Sequence, residues 1–251
     1  MSTDKKLTVL AHLGELRKRL IKSVIAVAIT SLVSFMFYRQ IFAILIAPAP
    51  QSIQLQAIEM TEMLGTIMRV CLVSGIVVAM PYLVYNFIMF VSPALTRREK
   101  TYVYLILPWI ALMFAAGVIF GYYILLPRIT IFLTTFGGDI VSIEPRIGNY
   151  VNVVTRLLLT VGLVFQMPVI TTFLARIGII KAKWLSDRRR TAIIVAFILA
   201  AMITPTIDPI NQSLVAIPLI VLYEMSIWLA KLVQRKESGV VPPVSSPVSQ
   251  R

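Results

Sequence analysis

Six apolar runs separated by short polar segments set the pattern of this chain. They cover residues 20–38, 70–91, 102–126, 150–175, 191–204 and 214–229. A hydrocarbon core of about 30 Å takes about 20 helical residues at 1.5 Å each, so the first four runs are long enough to cross it. Pro81 lies inside the second run and Pro168 inside the fourth. The third run is expected to continue past the bilayer and Pro127, and to stop near Gly137 and Gly138. The last two are short: residues 191–204 cover about 21 Å as a helix and 214–229 about 24 Å. Asp208 and Pro209 ahead of the sixth run read as an N-cap followed by proline at the first helical position, so a loop at 205–209 joins two short spans. Such mismatch is met by thinning of the bilayer or by polar flanks reaching inward.

Two connections are more than loops. Residues 51–68 place Met60, Met63, Leu64, Ile67 and Met68 at helical spacing. That spacing predicts an amphipathic helix on the outer surface, or a helical cap over the bundle. Residues 134–149 carry a Gly-Gly-Asp turn and Glu144-Pro145. The chain then divides into an N-terminal segment (1–19), a membrane domain (20–232) and a tail (233–251). The end of that tail, rich in Ser, Pro and Val, cannot bury a core and is expected to be disordered. No internal repeat is visible.

The basic residues turn this pattern into an orientation. Of 24 Lys and Arg, all but Arg39, Arg69, Arg128, Arg146 and Arg156 fall in four segments. These are the N-terminus through Lys22, the Arg97-Arg98-Glu99-Lys100 stretch, residues 176–190, and the tail from Lys231. Basic residues in every second connection are the positive-inside signature. An all-α integral membrane protein with six spans and both termini in the cytoplasm is expected. Composition agrees: 58% hydrophobic, 14% charged and a mean hydropathy of +0.87 leave too little polar surface for a soluble domain. The net charge of +13 would suit nucleic acid, but these cations sit beside apolar spans, where they meet anionic lipid headgroups. No nucleic-acid partner is expected. The first apolar run is too long for a signal-peptide core and lacks a small-residue cleavage site, so it reads as a retained span.

Catalytic chemistry has no foothold. There is one histidine, His12, and one cysteine, Cys71. No HExxH, no pair of intramembrane aspartates, no Gly-rich phosphate loop and no Cys/His metal cluster occurs, so neither an enzyme nor a metal or other cofactor is expected. The residues to watch are polar ones placed where lipid makes them costly. Gln166 sits about 15 Å inward from Arg156 on the fourth span. Beside it Pro168 frees the Val164 carbonyl. Gln166 either bonds a neighbouring helix of this chain or meets a polar group on a partner helix. Glu224 reaches the interface, pairs with Lys231, or faces a partner. Asp208 is a helix cap or a ligand. Glu15 and Glu99 stand alone among cations. Glu15 suits an i,i+4 pair with Arg19, worth about 0.2–0.5 kcal/mol, and Glu99 a solvated turn.

The stretch His12-Leu13-Gly14-Glu15-Leu16-Arg17-Lys18-Arg19-Leu20 resembles the HLxELRxRL opening of the TatC family, the core receptor subunit of the twin-arginine protein translocase. Phe90-Val91-Ser92-Pro93-Ala94-Leu95 followed by Arg97-Arg98-Glu99 is similar to that family's first cytoplasmic loop. Phe165-Gln166-Met167-Pro168, Thr204-Pro205-Thr206-Ile207-Asp208 and Ala216-Ile217-Pro218 leading to Glu224 also match, in order, over roughly residues 7–232. The resemblance implies a plasma (inner) membrane subunit that binds twin-arginine signal peptides of folded precursors. It would nucleate an export complex driven by the proton-motive force. Glu15, Glu99 and Phe90, with Leu16 and Arg17, match the signal-peptide contacts. Gln166, Pro168, Met202, Thr204, Asp208 and Glu224 would meet single-span TatA- and TatB-type subunits or other TatC copies. Gln166 departs from the Glu often found at its position, which keeps a hydrogen-bonding role and removes a charged one. The rival reading is a small-solute secondary transporter, a class marked by repeated halves and midplane ion ligands, neither of which the chain carries.

Overall fold

The structure is a computed structural model and describes residues 2–49, 55–91, 97–135, 145–204 and 208–238. Its helices are α1 (Ser2–Met36), α2 (Tyr38–Ile46), α3 (Glu62–Val91), α4 (Arg97–Phe120), α5 (Leu126–Thr135), α6 (Ile147–Val164), α7 (Met167–Arg176), α8 (Ala182–Asp187), α9 (Arg189–Ile203) and α10 (Pro209–Ser238). Among the described residues the one extended pairing is an isolated bridge between Gln56 and Arg146. Among the described residues five stretches are long and apolar enough to cross a membrane: Leu13–Met36, Glu62–Phe90, Ile106–Phe132, Ile147–Arg176 and Pro209–Gln234. The chain is thus an all-helical, multi-pass membrane protein. The 15 residues of α9 extend about 22 Å, as short as the fifth apolar run implies.

The helices depart from the apolar runs in four places. The first run ends in a break at Phe37, whose φ of −109° and ψ of 19° leave the helical region, and α2 follows. The hydroxyls of Tyr122 and Tyr150 donate to the carbonyls of Ile44 and Leu45, 2.7 and 3.2 Å away. They satisfy α2's last turn, which would otherwise expose bare acceptors. The expected surface helix over 51–68 is not a separate element. Residues 55–61 are irregular, and Glu62 starts α3, which runs without interruption into the second span. Glu62 Oε2 reaches back to accept the backbone N–H groups of Ile58 and Glu59, which fastens the incoming chain to the helix start.

The third run continues through a π-helical turn, Gly121–Leu125, in which the N–H of Leu126 reaches the carbonyl of Gly121. This wide turn carries the chain into Pro127 without a break, as far as Thr135. The Gly137-Gly138 stop lies outside the described residues. The last helix is not short. It spans 30 residues, because the 214–229 run is only its apolar middle and the helix starts at Pro209, five residues earlier. The tail beyond Ser238 also lies outside the described residues.

The packing centres on α6, ten of whose residues are buried, including Val151, Val154, Leu157 and Val161. Around them gather Phe42 of α2, Val70 of α3, Leu126 and Ile129 of α5, Ala200 of α9 and Val215 of α10. A second cluster joins α3, α4 and α7 through Ile88, Ile110, Phe114 and Phe173. α4 crosses α6 at Gly117 and Gly162. A Cβ on Gly117 would stand 2.8 Å from Phe165 and 3.0 Å from the Gly162 backbone. Small residues allow this approach, which lets dispersion contacts act where lipid supplies no hydrophobic drive.

Candidate functional site

α1 lies against α3 along an antiparallel seam. The Asn86 amide donates to Ser23 Oγ at 3.2 Å, and Thr30 Oγ1 donates to the Gly75 carbonyl at 2.8 Å. Gly75 leaves room for Ser31, whose Oγ would lie 2.2 Å from a Cβ there. These contacts fix the register. Glu15 is eight residues before Ser23 on α1, about 12 Å along the axis, and Phe90 is four residues after Asn86 on α3, about 6 Å. Both therefore project to one end of the molecule, the end that carries Arg17, Lys18, Arg19 and Lys22. Glu99 belongs to the first turn of α4, which begins at Arg97 after the 92–96 connection. Its side chain lies outside the described residues.

At this basic end Glu15 accepts from both Nε and Nη2 of Arg19, the i,i+4 pair that the spacing predicts. Leu16 and Arg17 are exposed on the same helix, and Phe90 is half-buried. Little of α1 is shielded by the rest of the chain: 6% of its apolar window is buried, against 44% for the window in Ile147–Arg176.

The second group of candidates does not form one cluster. Gln166 occupies the break between α6 and α7. Its backbone N–H turns back to the Leu163 carbonyl at 3.0 Å, and Pro168 opens α7. The side chain is fully buried. Nε2 donates to the Ile110 carbonyl of α4 at 3.0 Å, while Oε1 has no partner among the described residues. Gln166 thus faces inward, against this chain's own α4, and Pro168 is buried beside it. Met202, Thr204 and Asp208 lie where α9 meets α10, at the opposite end from Glu15. Arg156 reaches the Met202 carbonyl at 3.4 Å. Thr204 is buried and bonds the Ala200 carbonyl. Asp208 Oδ1 accepts the Asn211 N–H at 2.7 Å, the expected cap. Met202 is 65% exposed beside them.

Glu224 does not pair with Lys231. It forms a two-pronged ion pair with Arg189, at 2.9 and 3.0 Å. α9 and α10 pack side by side and so set Arg189 opposite Glu224, while Lys231 lies two turns away along α10. The sequence carries no signal for this pairing of residues 35 apart. Nor does it signal the Glu62 clamp, in which Oε1 accepts the Gly148 N–H at 3.1 Å and ties the start of α3 to the start of α6. Among the described residues no group of three His, Cys, Asp or Glu side chains could hold a metal ion.

Comparison with known proteins follows this geometry. Residues 11–218 match the model of the family described as TatC, Sec-independent protein translocase protein. The Sec-independent protein translocase protein TatC of Carboxydothermus hydrogenoformans is 37% identical over 235 residues, 93% of this chain and 97% of that protein. The chloroplastic protein of the same name from Arabidopsis thaliana is 33% identical, over 92% of this chain and 68% of its own. A crystal structure of the twin-arginine translocase receptor TatC superposes with a TM-score of 0.80 at 36% identity, over 89% of this chain and all of the other.

Proposed function

This chain belongs to the TatC family of Sec-independent translocase proteins and is a subunit of that machinery; from that premise we propose that its basic end is the receptor surface for twin-arginine signal peptides. The observation that carries the reading is the α1–α3 seam, which brings Glu15 and Phe90 to the end where α4 begins with Glu99. Guanidinium groups pair with carboxylate in bidentate fashion, and an acid set among cations is the one local place that favours another cation. Arg19 holds Glu15 already, but an i,i+4 pair of this kind is worth only about 0.2–0.5 kcal/mol. A charge-assisted bond to an incoming arginine contributes about 1.5–3 kcal/mol. The resident pair therefore yields to the ligand. Leu16, Arg17 and Phe90 border the same surface.

In this reading the chain crosses the plasma (inner) membrane six times, α9 being a thin fifth span, with both termini in the cytoplasm. The α9–α10 joint, with Met202, Thr204 and Asp208, together with Glu224, forms the contacts for TatA- and TatB-type subunits or further copies of this chain, whereas the buried Gln166 is occupied with this chain's own α4. Cysteines placed at Gln54 and Asp139 should label from outside, and ones at Lys100 and Lys183 only after permeabilisation. Outside labelling at Lys183 rejects the six-span arrangement.

The receptor surface is tested by a double-mutant cycle. Glu99→Ala should weaken binding of a twin-arginine signal about ten- to a hundredfold. A signal with both arginines changed to glutamine should bind wild type poorly and lose little more in the variant. If Glu99→Ala weakens both signals by one factor, Glu99 is a turn charge and the receptor surface lies elsewhere.

A further inference from the structure

At the basic end, α7, α8, α9 and α10 enclose a cleft of about 320 Å³. Its walls are apolar, with Val195, Leu199 and Leu219 among them, and Trp184 and Arg188 border it as well. The Arg188 guanidinium lies 4.9 Å over the Trp184 ring. A second cleft of about 340 Å³ shares Trp184 and Ile180 with the first and is lined by Lys181. The indole therefore stands between an apolar slot and a space edged by a cation.

The charge around it is lopsided. Residues 181–190 hold Lys181, Lys183, Arg188, Arg189 and Arg190 against the single acid Asp187. The nearby Glu224 is engaged by Arg189. Arg188 touches the ring and makes no side-chain hydrogen bond among the described residues.

We propose that this double cleft binds one anionic phospholipid, with an acyl chain in the apolar slot and the phosphodiester between Arg188 and Lys181. The assignment rests on the reading of the basic end as the cytoplasmic face, where basic pockets between membrane helices suit anionic headgroups. Indole rings favour the same headgroup depth. The apolar slot suits a hydrocarbon chain, and the cations beside it suit the phosphodiester that such a chain carries. A zwitterionic headgroup brings its own cation against Arg188, so the site selects for net negative charge.

The test uses Trp184 as reporter in the full chain, after Trp109→Phe and Trp228→Phe leave it the sole tryptophan. The protein is placed in phosphatidylcholine nanodiscs. These are doped at equal mole fraction with dibrominated phosphatidylglycerol or dibrominated phosphatidylcholine, whose bromines quench indole on contact. The anionic lipid should quench at an apparent affinity about fivefold higher, the effect expected of one cation near the surface. Arg188→Gln should reduce the preference and Arg188→Gln with Lys181→Gln should bring the two lipids to parity, while Arg188→Lys should keep the preference. Ala192→Leu, which narrows the slot, should reduce quenching by both lipids.

Equal quenching by the two lipids in the parent protein overturns the proposal, as does a preference that survives loss of both Arg188 and Lys181. No quenching by either lipid means that protein fills the cleft, and overturns it too. The discs carry the same lipids on both faces, so a reversed topology does not alter these results. Twin-arginine peptide binding measured in the same discs reports on the receptor reading separately.

Discussion

The α1–α3 edge and the α4–α6 crossing are built from the same device, glycine letting two helices approach, yet they hold their helices very differently. At the crossing, Gly117 of α4 meets Gly162 of α6, a helix packed on many sides that buries ten residues. At the edge, Gly75 faces Ser31 on a helix whose apolar window is 6% buried. The seam there is long and carries two side-chain hydrogen bonds and a close approach, but α1 is held almost wholly by α3. Interhelical hydrogen bonds within membranes average only about 0.6 kcal/mol. The lesson is a division of labour: the crossing fixes the shape of the molecule, while the edge carries the proposed receptor residue Glu15 on a helix held from one side.

The sharpest way to break this comparison is to make one substitution in both places. Gly117→Leu drives a side chain into the Gly162 backbone, and over-packing of this kind costs about 1–3 kcal/mol. Thermal unfolding in detergent should shift clearly downward. Gly75→Leu should leave the unfolding transition of the bundle nearly unchanged, because α1 moves aside as a unit, while signal-peptide binding falls. Equal loss of thermal stability in both variants would show that α1 is as much a part of the core as α6.

A smaller effect is expected at the α10 start. Asp208→Ala removes the cap on Asn211 and should cost about 1 kcal/mol. Hydrogen exchange should rise over the first turn of α10 and not in α6. Uniform acceleration across both helices would remove the local role of the cap.

Asn86→Leu deletes one of the two bonds of the seam. Peptide binding should fall about threefold, in line with a loss of about 0.6 kcal/mol, with thermal unfolding unmoved. Unchanged peptide binding would leave Gly75 and Thr30 as the whole seam.

The smallest effect concerns Arg189 and Glu224. Both side chains are about half exposed, at 50% and 47%. Such a pair contributes about 0.2–1 kcal/mol and weakens with salt. A cycle with Arg189→Gln and Glu224→Gln, read at low and high ionic strength, should give a coupling that fades as salt rises. A salt-independent coupling would mean that the pair is shielded by lipid or by a partner.

Much of the fold was legible along the chain. The apolar runs located the membrane helices, because spanning a bilayer demands about 20 apolar residues and an internally satisfied backbone. The short fifth run, the break at Pro168 and the Asp208 cap follow from local rules of length, missing N–H donors and capping, and each is present. The Glu15–Arg19 pair is equally local. The runs misjudged the helix ends, since polar turns extend α3 outward to Glu62 and α10 to Ser238 at no hydrophobic gain. What only the tertiary structure decided is who faces whom. Gln166 could have turned toward a partner or toward its own chain, and packing of α4 on α6 gives it the Ile110 carbonyl. Glu224 could have met Lys231 nearby, and the docking of α9 gives it Arg189 instead. Glu62 binds the backbone of a helix 86 residues away. Periodicity says which residues leave water and where a helix can stand; it is silent on the rotation and neighbours of that helix, because those depend on close packing between side chains distant in sequence.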